Sequence, residues 1–230
     1  MFKAIVFDFD GLILDTETLH YEVLKEMFEE QGSHLPLELW LEGVGTQSGF
    51  QPFTYLEEQL GEKVDHRSLQ TDREKRFSER ISRELARPGV EDYLAAAKEL
   101  GFKIGLASSS DYEWVSTHLR NIGLFDHFEC IKTSDDVEEV KPNPSLYIKA
   151  AECLGVKPEE CIAFEDSAHG SLAARRAGMA CVIVPNKITG GLEFGETDHR
   201  LESMAELEFK LLLEKLEEGK KFKKGHSAGK

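Results

Sequence analysis

Basic residues, cysteine, proline and long apolar runs are all scarce in this chain, and each shortage closes off a class of protein. Only 28 Lys and Arg stand against 43 Asp and Glu, a formal net charge of −15 over 230 residues. A surface that acidic repels a phosphate backbone, so nucleic acid is not expected as a partner. The four cysteines are Cys130, Cys153, Cys161 and Cys181. None forms a C-x-x-C pair, no His stands beside them at zinc-finger spacing, and all lie in or next to apolar stretches. They read as reduced core residues rather than disulfides or metal ligands. Seven prolines and 40% hydrophobic residues describe a globular composition, not a disordered one. No apolar run approaches the roughly 18–20 residues of a membrane span. The apolar start, Met1-Phe2-Lys3-Ala4-Ile5-Val6-Phe7, is too short for a signal peptide and meets acids at once. A cytoplasmic location without a membrane partner is therefore the expectation.

What is present alternates. At roughly 100–200 residues per domain, this length makes one large domain, or one domain carrying a smaller insertion. Apolar runs at 3–9, 103–107, 161–164 and 180–184 each end in a small or acidic residue or a proline. Short runs with such endings read as buried parallel strands. Between them lie helical stretches. One spans 91–100 before Gly101, one is capped by Asp111 and runs to about Asn121, one spans 145–154 before Gly155, and one opens at Ser167 and ends near Gly178. The alternation predicts an α/β fold, a Rossmann-like parallel sheet with helices on both faces. Residues 16–87 break the pattern: they show no clear strand, and Leu19, Val23, Met27 and Phe28 recur at helical spacing. They read as an inserted helical cap, leaving 1–15 and 88–210 as the α/β core. Residues 211–230 hold six Lys and three Glu and read as the end of a C-terminal helix and a Lys-rich flexible tail.

In open α/β sheets, ligands sit beyond the carboxyl ends of the strands. The residues expected there are Asp8 and Asp10, then Ser108, then Glu165 and Asp166, with Lys141 in the stiff loop Lys141-Pro142-Asn143-Pro144. Carboxylates converging on one site repel one another unless their pKa values rise or a cation neutralises them. Oxygen ligands without a convergent His or Cys suit a hard cation, and Mg fits best. With a lysine and hydroxyl or amide donors, such a site accommodates a phosphoryl group in transfer. One carboxylate can serve as nucleophile and a second as acid and base.

The run Asp8-Phe9-Asp10-Gly11-Leu12-Ile13-Leu14-Asp15-Thr16-Glu17 resembles the first motif of the haloacid dehalogenase superfamily, in its phosphatase and mutase branch. Leu106-Ala107-Ser108-Ser109-Ser110, Lys141-Pro142-Asn143-Pro144 and Phe164-Glu165-Asp166-Ser167 resemble its remaining motifs, in order and over nearly the whole chain. The resemblance implies that Asp8 is nucleophile and metal ligand, and that Asp10 is general acid/base with its carbonyl also on the metal. It implies that Ser108, the Ser109 amide and Lys141 hold the phosphoryl group, and that Glu165 and Asp166 bind Mg. It implies that the inserted helices form a cap. Dehalogenases and phosphonatases of the superfamily lack the second aspartate, so the presence of Asp10 favours ester hydrolysis or mutase chemistry. The mutase grips a second phosphate with basic residues of its cap. The matching window, Leu41-Glu42-Gly43-Val44-Gly45-Thr46-Gln47, has no Lys or Arg, which shifts weight to a phosphatase of a small phosphorylated metabolite. Thr46 in that window and His20 are the candidate substrate contacts.

Blander readings stand beside these. His20 either faces the cleft or is an ordinary helix residue. Trp40, Phe50 and Phe53 read as cap core more than as a stacking surface. The run Asp72-Arg73-Glu74-Lys75-Arg76 reads as a solvated helix face, or one of its bases reaches the cleft. A signalling receiver also uses Asp, Mg, Ser/Thr and Lys, but places the acceptor on a middle strand and has no large insert. A core with its own cap needs no second copy, so a monomer is expected.

Overall fold

A computed structural model describes residues 1–41 and 50–227, with side chains to 220. Among the described residues the strands are β1 (Ala4–Phe7), β2 (Lys103–Ala107), β3 (Cys130–Lys132), β4 (Cys161–Glu165), β5 (Ala180–Ile183) and β6 (His199–Arg200). The α-helices are α1 (Thr16–Glu30), α2 (Leu37–Leu41), α3 (Pro52–Leu60), α4 (His66–Ile81), α5 (Val90–Glu99), α6 (Tyr112–Asn121), α7 (Ser145–Leu154), α8 (Ala168–Ala177) and α9 (Phe209–Ser227).

The strands form one parallel sheet in the order β3-β2-β1-β4-β5-β6. Its register puts Phe7 beside Leu106 on one side and Phe164 on the other, so the carboxyl ends of β1, β2 and β4 finish level. Side chains alternate across the sheet. Ile5 and Phe7 join a core with Tyr93, Val115, Leu119 and Phe209 from α5, α6 and α9. Ala4 and Val6 face Leu146, Tyr147, Ala150, Ala173 and Ala174 from α7 and α8. Both faces are covered, as the near-continuous apolar strands require. No helix among the described residues is long and apolar enough to cross a membrane.

Helices α1 to α4 follow β1 directly. Val23, Leu24, Met27, Phe28, Phe53 and Leu56 bury one another in a separate cluster. Phe77 and Ile81 of α4 join the core cluster of the sheet instead. Arg76 and Arg80 of α4 pair with Glu30, at 2.6 Å, and Glu26 of α1; within the charge run Glu74 and Lys75 are exposed, while Asp72, Arg73 and Arg76 are half-buried.

The structure adds two strands to those read from the sequence and changes the reading of two cysteines. β3 and β6 have three and two residues, too few to carry a hydrophobic period. Cys130 and Cys153 form a disulfide between β3 and α7, with Cα atoms 6.2 Å apart, whereas Cys161 and Cys181 are free and buried as expected. Packing of α7 on β3 creates that juxtaposition, and sequence spacing could not show it. The Lys-rich end is helical as far as Ser227, in α9.

Candidate active site

The loop after β1 is built around Gly11. Its φ is +80°, and a Cβ there would lie 2.2 Å from Asp166 Oδ2, so only glycine lets the two meet. The Gly11 N–H donates to Leu14 O at 2.8 Å and Ile13 N–H to Phe9 O at 2.9 Å, closing a tight turn whose apolar residues Leu12, Ile13 and Leu14 are buried. Asp15 then caps α1 by accepting from Thr18 N–H at 3.2 Å.

This turn presents Asp8, which is 7% exposed, to Lys141, Glu165 and Asp166, all buried. One oxygen from each of Asp8, Glu165 and Asp166 lies within 4.8 Å of the others. Lys141 Nζ donates to Asp8 and, at 2.7 Å, to Glu165 Oε1. Glu165 is tied further by Tyr147 Oη at 2.6 Å, by the Asp166 and Ser167 amides at 3.2 and 3.3 Å, and by Ser167 Oγ at 3.2 Å. A Cβ on Gly170 would lie 1.8 Å from its Oε1, so the first turn of α8 makes room for this carboxylate. Glu165 is thus a heavily anchored acid that fixes the ammonium. Asp166 is freer: Asn186 Nδ2 donates to its Oδ2 at 2.8 Å.

Asp10 stands slightly apart and is partly exposed. Its Oδ1 accepts from Trp114 Nε1 at 2.9 Å and Thr16 Oγ1 at 3.1 Å, and its Oδ2 from Ser110 Oγ at 2.6 Å and Ser108 Oγ at 3.4 Å. Ser108 Oγ also accepts from the Ser110 amide at 3.0 Å. Ser109 Oγ is buried with no partner, a hydroxyl available to a ligand. A cavity of about 560 Å³ joins Asp8, Asp10, Ser109, Lys141 and Asp166 to His20 and Arg73 from the inserted helices. His20 stacks flat on Phe77 at 3.7 Å with its Nδ1 3.5 Å from Arg73 Nη2. Burial and the arginine charge push its pKa down to about 3, so it meets a ligand as neutral imidazole. Thr46 lies outside the described residues. Arg73 is the one base of the charge run that lines the cleft. Sequence reading alone singled out neither Trp114, Tyr147 nor Asn186.

Electrostatics bear on a cation. Burial pushes Asp8 up to about 8, with Glu165 and Asp10 adding to the rise and Lys141 opposing it. Burial, then Asp8 and Glu165, holds Asp166 well above the usual carboxylate range. Three acids that crowd one another, with no His or Cys among them, form the donor set a hard divalent cation would relieve. Glu17 lines the same cleft and is also pushed up to about 8 by burial and the charges of Asp10 and Asp8. Between the ordinary values near 4 and about 8, the folded state binds more protons than the unfolded one, so stability falls as pH rises through that window. Metal-free protein should therefore lose melting temperature from about pH 5 to about pH 8, and added Mg should raise it more at the upper end. Calorimetry at fixed ionic strength reads this, and an equal Mg effect at both ends would mean that the acids are not crowded.

The family described as Haloacid dehalogenase-like hydrolase matches residues 5–184. The chain is 67% identical over 216 residues to the protein named "Putative phosphatase YhcW" of Bacillus subtilis (strain 168), covering 94% of this chain and 98% of that one. It is 31% identical over 221 residues to "Hexitol phosphatase B" of Escherichia coli (strain K12), covering 91% and 96%. Among solved structures, CbbY from Rhodobacter sphaeroides in complex with phosphate superposes with a TM-score of 0.71 at 30% identity, covering 90% of this chain and 96% of that one.

Proposed function

The chain belongs to the haloacid dehalogenase-like hydrolases, and from there we propose that it is a Mg-dependent phosphatase acting on a small phosphorylated metabolite, a sugar or polyol phosphate, through an aspartyl-phosphate. One observation carries the reading: Asp8, Lys141 and Asp166 meet at the floor of a cavity whose upper wall, with His20 and Arg73, comes from the inserted helices. The hexitol phosphatase among the relatives supports the substrate class.

In this reading an Asp8 carboxylate oxygen attacks phosphorus, forming an O–P bond as the ester O–P bond breaks. Asp10 gives its proton to the departing alkoxide, then takes one from the water that cleaves the acyl-phosphate and frees Asp8. Lys141 and the hydroxyl and amide donors of 108–109 hold the phosphoryl oxygens. Asp8 and Asp166, with Glu165 behind them and the Asp10 carbonyl beside them, would hold Mg, which offsets charge on the phosphoryl group when bound. The neutral His20 and Arg73 face the organic part of the ester. The cap window at 41–47 supplies no cation for a second phosphate, so hydrolysis is preferred to a mutase reaction.

A panel of sugar and polyol monophosphates assayed for inorganic phosphate tests this directly. Release should occur with Mg, stop in EDTA, and return when Mg is restored. Turnover that persists in EDTA would remove the metal from the scheme. Conversion of a sugar 1-phosphate to the 6-phosphate without phosphate release would favour the mutase.

A further inference from the structure

The steps above leave Trp114 unused, although its ring lies in the cleft and holds the acid–base residue. We propose that Trp114 is the positioning residue of Asp10, coupling the orientation of that carboxylate to the placement of the inserted helices. The inference rests on the reading of Asp10 as general acid and base.

Trp114 stands in the first turn of α6. Asp111 caps that helix by accepting from the Trp114 amide at 2.7 Å, which fixes where the side chain begins. The indole carries one N–H donor and no acceptor. That donor goes to Asp10 Oδ1 at 2.9 Å. Of the four groups that donate to Asp10, the other three are hydroxyls, which rotate freely to suit any acceptor. The indole does not turn in this way, because rings enclose it. His118 meets it edge-on at 4.2 Å, Phe77 stacks at 5.8 Å and 27°, and His20 lies at 6.5 Å and 21°. His118 belongs to α6 itself, but Phe77 is on α4 and His20 on α1. A single rigid side chain therefore touches the sheet-side acid with its polar edge and the inserted helices with its faces. A shift of α1 and α4 moves the rings, the rings move the indole, and the N–H redirects Oδ1.

The test separates a proton-transfer role from a packing one. The ratio kcat/KM reports the steps through phosphoryl transfer to Asp8. There an alkyl leaving group needs a proton and nitrophenolate does not. Trp114→Phe keeps an aromatic ring and deletes the N–H. It should lower kcat/KM for an alkyl or polyol phosphate by about 10–100-fold, part of the roughly 10²–10⁴ that acid–base catalysis supplies. The loss with p-nitrophenyl phosphate should be only about threefold or less. In an Asp10→Asn background the same change should add almost nothing. Benzothienylalanine placed at position 114 alone keeps the bicyclic shape without the N–H, and should give the same selective loss if the phenylalanine variant folds poorly. Equal losses on both substrates, or a full additional loss on top of Asp10→Asn, would reduce Trp114 to a packing residue and overturn the proposal. Undiminished alkyl turnover in Asp10→Asn alone would instead overturn the acid–base reading beneath it.

Discussion

Asp8→Asn is expected to abolish phosphate release, by about 10⁴–10⁶-fold, the scale on which losing an enzymic nucleophile is felt. The replacement changes one atom. Volume, backbone and the hydrogen bond that carries the strand onward, Asp8 N–H to Phe164 O at 3.0 Å, are all retained. Lys141 keeps its second partner, Glu165, at 2.7 Å. Burial already pushes the Asp8 carboxyl up to about 8, so a neutral group at this position relieves strain between acids near neutral pH. The variant should therefore melt within a few degrees of the parent and give the same far-UV spectrum, while releasing no phosphate and accumulating no phosphorylated protein. Retention of activity within about tenfold would place the nucleophile elsewhere.

Lys141→Met should fail in a different way, losing stability as well as turnover. The ammonium is 2% exposed and lies between Asp8 and Glu165, and methionine matches the length of its stem without the charge. Removing one side of a buried ion pair leaves the partners uncompensated, at a cost of about 3–5 kcal/mol. For a chain of this size that is a fall of roughly 6–20 °C in melting temperature. The effect should be larger at about pH 8 than at about pH 5, because Asp8, pushed up by burial, can take a proton at the lower value. Magnesium should recover part of the lost stability and none of the activity. A melting temperature within about 3 °C of the parent at both pH values would show that the lysine does not neutralise these acids.

The parts of this molecule that were legible in its sequence are those where local chemistry and tertiary position coincide. β2 spans the apolar run at 103–107, and α7 ends where Gly155 takes the left-handed conformation. Asp111 and Ser167 cap the helices assigned to them, because a short polar side chain ahead of an apolar period has few other uses. Asp8, Asp10, Ser108, Glu165 and Asp166 stand at strand ends, where the alternation of strand and helix already aims them at one edge. Partners that reach this edge from helices left fainter marks. Tyr147 is an apolar-face residue of α7 by spacing, and only packing brings its hydroxyl to Glu165. Arg73 shares a charge run with residues that face solvent. Trp114 left a fainter signal, an aromatic three residues after a helix cap and just beyond the serine motif. The Cys130–Cys153 bridge left none, because it depends on how an edge strand of three residues meets a helix.

The order of strands across the sheet has a consequence for biosynthesis. β1 is made first, yet its two neighbours are β2 and β4, at 103–107 and 161–165. Lys141 follows Asp8 by 133 positions, and the acid pair comes later still. A nascent chain therefore carries an apolar strand with one or both edges open for most of its synthesis, the state in which helper proteins and aggregation compete for it. A polypeptide halted short of β4 holds Asp8 and Lys141 but not Glu165 and Asp166, so the buried cluster around the ammonium closes only once β4 has been made.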